Sequence, residues 1–145
     1  MVTESRIAIY NYLYELFYNV VTKNVYSMRE PQELTTSDTT DGFIVIRVGT
    51  ITDASEFDRE TYARVRCYIQ AFVPPISRGR LDYKKYKLFE DSILAVIHEA
   101  EANPTDDYFI EEDSLISSDT EETENANNSY YTFIKSFLIT IDKHQ

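Results

Sequence analysis

Residues 61–73, TYARVRCYIQAFV, followed at once by Pro74-Pro75, are the stretch on which the fold of this chain turns. Ala63, Val65, Cys67, Ile69, Ala71 and Val73 alternate with Tyr62, Arg64, Arg66, Tyr68, Gln70 and Phe72. A period of two is that of a β-strand, whose successive side chains point to opposite faces. The first row is apolar and predicts a core-facing side. The second mixes aromatic rings with arginines, so it is dressed for contact with more than water. Two prolines end the strand, because neither can donate to a ladder. Cys67 falls on the apolar row, which predicts a buried thiol. A single cysteine also rules out an intramolecular disulfide framework and a cysteine-rich zinc site.

Upstream, residues 42–52 are β-branched and apolar, a second predicted strand, and the polar residues 53–60 are few enough for a hairpin. Residues 31–42, rich in Thr, Ser and Asp, read as a loop. Before them, Ile9, Leu13, Leu16, Phe17 and Val20 recur at spacings of three and four, predicting a helix over residues 4–22 with Thr3 as N-cap. Tyr10, Tyr14, Tyr18 and Val21 form a second apolar row beside that stripe. One sheet face covers only one row, so the second is either deeply buried or meets another subunit.

Downstream, residues 76–81 (ISRGRL) read as a loop, and Asp82 as the N-cap of a helix running to residue 102. Its inner face carries Tyr86, Phe89, Ile93, Val96, Ile97 and Ala100, and Asn103-Pro104 closes it. Residues 108–116 are a predicted strand. Residues 117–129 hold four acids, three asparagines and no aliphatic residue larger than Ala126, and read as a mobile acidic loop. A last strand spans residues 130–142, alternating Tyr131, Phe133, Lys135, Phe137, Ile139 and Ile141 with Tyr130, Thr132, Ile134, Ser136, Leu138 and Thr140. The order α-β-β-α-β-β predicts an α+β fold in one domain over residues 1–145. Its sheet is antiparallel or mixed, with two helices packed on one face.

Charge is segregated along the chain. Eight of the fourteen basic residues lie between Arg59 and Lys87, whereas residues 88–134 carry thirteen Asp and Glu and no Lys or Arg. The net charge of −11 disfavours general binding to DNA phosphates or anionic lipid. No stretch has the length of a membrane-spanning helix and no basic-then-apolar leader opens the chain, so folding in a cytoplasm is expected. Arg78-Gly79-Arg80, continued by Lys84, Lys85 and Lys87, is the one basic motif. Three readings stand open for it: a solvated loop, phosphate contacts, or pairing with the acidic region of a neighbouring copy, a contact that Arg64 and Arg66 could join.

Catalytic patterns are absent. His98-Glu99 lacks the second histidine of a zincin, and His144 sits in the tail. Glu111-Glu112-Asp113 has no calcium-loop spacing, and Gly42, Gly49 and Gly79 stand too far apart for a phosphate loop. No enzyme, metal or cofactor is therefore expected.

Three segments in this order resemble the tail-terminator and tail-completion proteins of long-tailed bacteriophages and prophages. They are RIAIYNYLYELFYNVV (residues 6–21), YARVRCYIQAFVPPIS (62–77) and YYTFIKSFLITI (130–141). The likeness is one of element order, the two-proline exit and an aromatic last strand, with no invariant catalytic or ligand motif. The chain departs from it at residues 32–41 and 117–129. The resemblance implies a structural virion protein, a homo-oligomeric ring that is typically hexameric. Such a ring caps the tail tube, joins it to the head connector, and assembles in the host cytoplasm before entering the virion. Tail-tube and head-connector proteins would be its partners, with DNA only in passage. Candidate interface residues are then Arg64, Arg66, Tyr68, Phe72, Arg78, Arg80, Lys84 and Lys85, with the row Tyr10, Tyr14 and Tyr18. Asp119, Glu121, Glu122 and Glu124 would line a lumen or dock on a partner, since an acidic channel keeps phosphates from sticking. A different reading is a small cytoplasmic adaptor or regulatory domain that binds an acidic or peptide partner through its arginine loop.

Overall fold

In the computed structural model, which describes residues 2–29, 31, 33–49, 52–53, 62–104, 108–112, 121–125 and 128–142, the alternating stretch is one long strand, Tyr62–Val73. With its predecessors it is β4, after β1 (Val25–Ser27), β2 (Phe43–Val48) and β3 (Thr52–Asp53). Beyond it come β5 (Tyr108–Glu112), β6 (Glu121–Asn125) and β7 (Asn128–Asp142). The helices are α1 (Val2–Phe17), α2 (Thr36–Asp41) and α3 (Tyr83–Ala102). The fold is α+β, with a mixed sheet in the order β1-β2-β4-β7-β5. Strand β1 runs parallel to β2 and the other pairings are antiparallel. Strand β3 pairs β4, and β6 pairs β7.

The predicted hairpin partners pair as expected, β2 with β4 and β5 with β7, and the two pairs are joined by β4 and β7. These central strands match from Tyr62 opposite Asp142 to Val73 opposite Tyr131. In-register pairing keeps the apolar rows on one side: Cys67 lies opposite Phe137, Val65 opposite Ile139 and Ala71 opposite Phe133. Helices α1 and α3 cover that side. Ile9, Leu13 and Phe17 from α1 and Phe89, Ile93 and Ile97 from α3 are buried in one cluster with these strand residues. Asp82 caps α3 as expected, its side chain accepting from the Lys85 backbone N–H at 3.1 Å.

Several boundaries differ from the sequence reading. Helix α1 begins at Val2, so Thr3 lies within its first turn. It stops at Phe17, short of residue 22, because Asn19 takes a left-handed φ of 59°, a conformation asparagine tolerates better than most residues. Residues 31–42 are not simply loop. Thr35 and Asp38 form a reciprocal capping box that starts α2, a third helix. Residues 121–125, expected as mobile loop, form a strand against β7, with Asn125 opposite Asn128. Pairing along that edge gives their backbone partners that burial could not supply. Residues 117–120 and 126–127 of that predicted loop and 113–116 of the predicted strand before it lie outside the described residues, and 128–129 belong to β7.

The second face of the sheet has its own small core. Phe43 stacks on Phe72 at 4.4 Å and 11°, Tyr130 meets both edge-on at 5.3 and 6.0 Å, and Tyr26 meets Phe43 edge-on at 5.7 Å. Helix α2 closes this cluster through Asp38, which is fully buried. Its carboxylate accepts from the Tyr26 hydroxyl at 2.8 and 2.9 Å and from the Thr35 N–H at 2.9 Å, while its backbone carbonyl accepts from the Tyr130 hydroxyl. A buried carboxylate is tolerated only with its oxygens satisfied, and these donors do it. Gly42 completes the turn into β2. At φ 83° its missing Cβ would stand 2.5 Å from the Phe72 carbonyl, so no other residue fits without a backbone shift.

Burial and the Asp38 carboxylate push the hydroxyl pKa values of Tyr26 and Tyr130 up from 10.0 to about 12, and burial pushes the Cys67 thiol up from 9.0 to about 12. The unfolded chain therefore sheds these protons first as pH rises. Their contribution to stability is complete below the unfolded values and is lost as pH climbs toward about 12. Thermal melts should show a falling melting temperature above about pH 9–10, with a shallower fall in Tyr26→Phe. Asp38→Ala should cost about 2–4 kcal/mol in urea unfolding, from a lost cap and unpaired buried donors. A cost under about 0.5 kcal/mol would mean that α2 does not depend on this carboxylate.

Candidate functional site

The aromatic cluster occupies only one half of the sheet's second face. Parity carries the other half forward from the same strands: Arg47 on β2, Arg64, Arg66, Tyr68 and Gln70 on β4, Ile134 and Leu138 on β7, and Phe109 and Glu111 on β5. Among the described residues no helix covers this half. Phe109 is 42% exposed and Ile134 37%, high values for large apolar side chains at the centre and edge of a sheet. Arg64 and Glu111 are exposed, and Arg47, Arg66, Tyr68 and Leu138 are half-buried. The Arg47 guanidinium donates to the Gln70 side-chain oxygen, which orients it along the face. Exposed apolar area rimmed by cations is a contact surface in physical terms.

The structure separates the residues that the sequence had grouped. Arg64 and Arg66 lie on this open half-face, as their alternation predicted. Phe72, expected there with them, is fully buried, because α2 and Tyr26 close that end of the face over Phe43 and Phe72. The basic loop is elsewhere. Arg80 follows a 3-10 turn at Ser77–Gly79, beyond the other end of β4 from Arg64. At about 3.3 Å per residue Arg66 and Arg64 stand roughly 23 and 30 Å from the Val73 end of β4, too far to form one strip with the loop. The turn is held by the Tyr131 hydroxyl, which donates to the Gly79 carbonyl at 2.8 Å. The Arg78 side chain lies outside the described residues.

Lys84 is exposed, while the half-buried Lys85 reaches α2 and donates to the Thr40 carbonyl at 3.0 Å. Lys84, Lys85, Lys87, Leu88, Asp82 and Asp91 line an open cleft of about 480 Å³ at the start of α3. The tyrosine row also divides. Tyr10 packs against the core and its hydroxyl accepts from the Val48 N–H at 3.3 Å, whereas Tyr14 and Tyr18 are exposed and stack at 5.4 Å. Glu121, Glu122 and Glu124 belong to β6, and Asp119 lies outside the described residues.

Other chemistry is sparse. Among the described residues no three His, Cys, Asp or Glu side chains gather where a metal could sit, and His98 is exposed. Cys67 is fully buried with its thiol pKa pushed up, so it stays a protonated core thiol. No helix among the described residues is long and apolar enough to cross a membrane. Sequence reasoning missed Arg47, Phe109 and Glu111 as members of the open half-face. Besides the second row of β4, the signal for the face was in β7, where Ile134 and Leu138 interrupt the polar row. No protein-family model matches this chain, and no curated protein matches it.

The two fates of the β4 second row give a direct contrast. Phe72→Ala should cost about 3–5 kcal/mol in urea unfolding, since it opens a cavity under Phe43 and Tyr130. Arg64→Glu should stay within about 0.5 kcal/mol of wild type, since the side chain is exposed. Equal costs at the two positions would contradict the division of the face.

Proposed function

We propose that this chain is a non-enzymatic structural subunit that packs head to tail with copies of itself into a ring, in the manner of the phage tail-terminator and tail-completion proteins it resembles. The ring, hexameric in this reading, caps a tail tube and joins it to a head connector. It is built in the host cytoplasm and carried into the virion. The observation that carries the reading is the open half-face with its arginines and exposed Phe109 and Ile134. It lies on the opposite side of the sheet from α1 and α3, so a subunit that buries it on a neighbour's unlike surface repeats the contact with the next copy. Heterologous contacts of that kind close into rings or run on as filaments.

The charge distribution supports the same reading. A chain of net charge −11 that concentrates arginines on one face can pair that face with its own acidic surfaces in the next copy. In the assembled ring the acidic residues 119–124 line the channel or meet an adjoining virion protein, and the tyrosine pair Tyr14 and Tyr18 and the basic residues Arg78, Arg80, Lys84 and Lys85 are further edges for those neighbours. DNA passes without specific contact.

Sedimentation velocity over a concentration series, with negative-stain microscopy at the upper end, tests the proposal. Concentration-dependent closed assemblies are expected. Exposed charge pairs are screened within about 3 Å at 1 M salt, so high salt should raise the concentration needed to assemble. A species that remains monomeric at every concentration would remove the ring and favour the adaptor reading.

A further inference from the structure

Head-to-tail packing, on which this inference rests, requires a second surface to meet the open half-face. Across the strand order β2-β4-β7-β5 that half-face has a polarity. Arg47, Arg64 and Arg66 stand on the first two strands, Ile134 and Leu138 on the third, and Phe109 and Glu111 on the last. Cation, apolar strip and carboxylate follow one another over about 14 Å, from three inter-strand spacings.

Helix α3 carries the reverse order on its outward side. Lys84 and Lys87 are exposed near its start, Leu88 (56% exposed) and Ala95 follow on either side of Asp91, which pairs with Lys87, and Glu99 is exposed near its end. This arrangement opposes the helix macrodipole, which favours acids in the first turn and bases in the last. The first turn of α3 has no acid and the last no base. The internal Lys87–Asp91 pair, at 3.2 Å with both side chains mostly exposed, contributes little. The helix alone therefore gives no reason for its charge order. A partner surface does.

We propose that the outward side of α3 from a second copy lies across the open half-face. Glu99 then meets the arginines, Leu88 and Ala95 meet Ile134, Leu138 and Phe109, and Lys84 and Lys87 meet Glu111. From Lys87 to Glu99 the helix rises about 18 Å, which matches the span of the polar face within side-chain reach. The inner side of α3 is buried against the first face of the sheet, so its outward side points away from the open half-face of its own chain. The contact is thus between unlike surfaces and repeats from copy to copy. It adds a helical layer to the uncovered sheet face and makes each subunit's second face part of an interior.

Charge exchange tests the partner assignment. Arg64→Glu with Arg66→Glu, and separately Glu99→Lys, should each raise the concentration for half-assembly about tenfold or more, with circular dichroism unchanged. All three substitutions in one chain should restore assembly toward the wild-type concentration, because each surface again meets its opposite. If the arginine variant fails to assemble while the helix variant assembles like wild type, or if the combined exchange gives no rescue, α3 is not the partner and the head-to-tail reading stands without it. A wild-type chain that is monomeric throughout removes both. Should half-buried Arg66 prove intolerant of glutamate, Arg64→Glu combined with Glu99→Lys gives the same test on exposed positions.

Discussion

The antiparallel pairing of β4 with β7 is the constraint on which the rest of the structure depends. Side-chain direction in a strand has a period of two, so one register fixes which face every residue of both strands takes. With Cys67 opposite Phe137, the two apolar rows coincide and α1 and α3 have a continuous surface to cover. A slip of one residue would turn Val65, Cys67 and Ile69 away from the helices and put Arg64 and Arg66 under them. Burying those guanidinium groups without carboxylates would cost several kcal/mol each, so the register is strongly determined. The same parity that builds the core also brings Arg64, Arg66, Ile134 and Leu138 together on the other side.

What makes that other side into a site is that it is closed at one end only. The Phe43, Phe72 and Tyr130 cluster draws α2 onto the sheet, and Asp38 holds it there by accepting from Tyr26 and Thr35. Gly42 allows the chain to pass within contact distance of the Phe72 carbonyl as it leaves α2. The closure ends where β2 and β4 change from phenylalanine to arginine, at Arg47 and Arg66. Beyond that line the sheet keeps exposed apolar side chains whose burial would be favourable at roughly 25 cal/mol per Å².

Elements with a strong period were legible in the sequence. The stripe of α3, its Asp82 cap, the alternation of β4 and the two-proline exit are all local signals, and the structure has them. Elements that depend on partners distant in sequence were not. Strand β1 is three residues long and exists through its parallel pairing with β2. Helix α2 is six residues of Thr, Ser and Asp, poor helix formers held by tertiary contacts; the Thr35–Asp38 spacing was its one readable sign. Strand β6 is acidic and polar and takes its form from the edge of β7. At the site, alternation placed Arg64, Arg66 and Phe72 on one face, but nothing local could show that α2 would bury Phe72 and leave the arginines out.

In the proposed assembly the open half-face of one copy meets the outward side of α3 in the next. A cysteine pair reads this directly, since the native Cys67 is buried and slow to react. Ile134→Cys and Ala95→Cys, prepared separately, mixed at assembling concentration and treated with a short bismaleimide, should crosslink to each other in preference to either self-crosslink. Dominant 134–134 crosslinks would mean that the half-faces meet as like surfaces, and the head-to-tail account would be wrong.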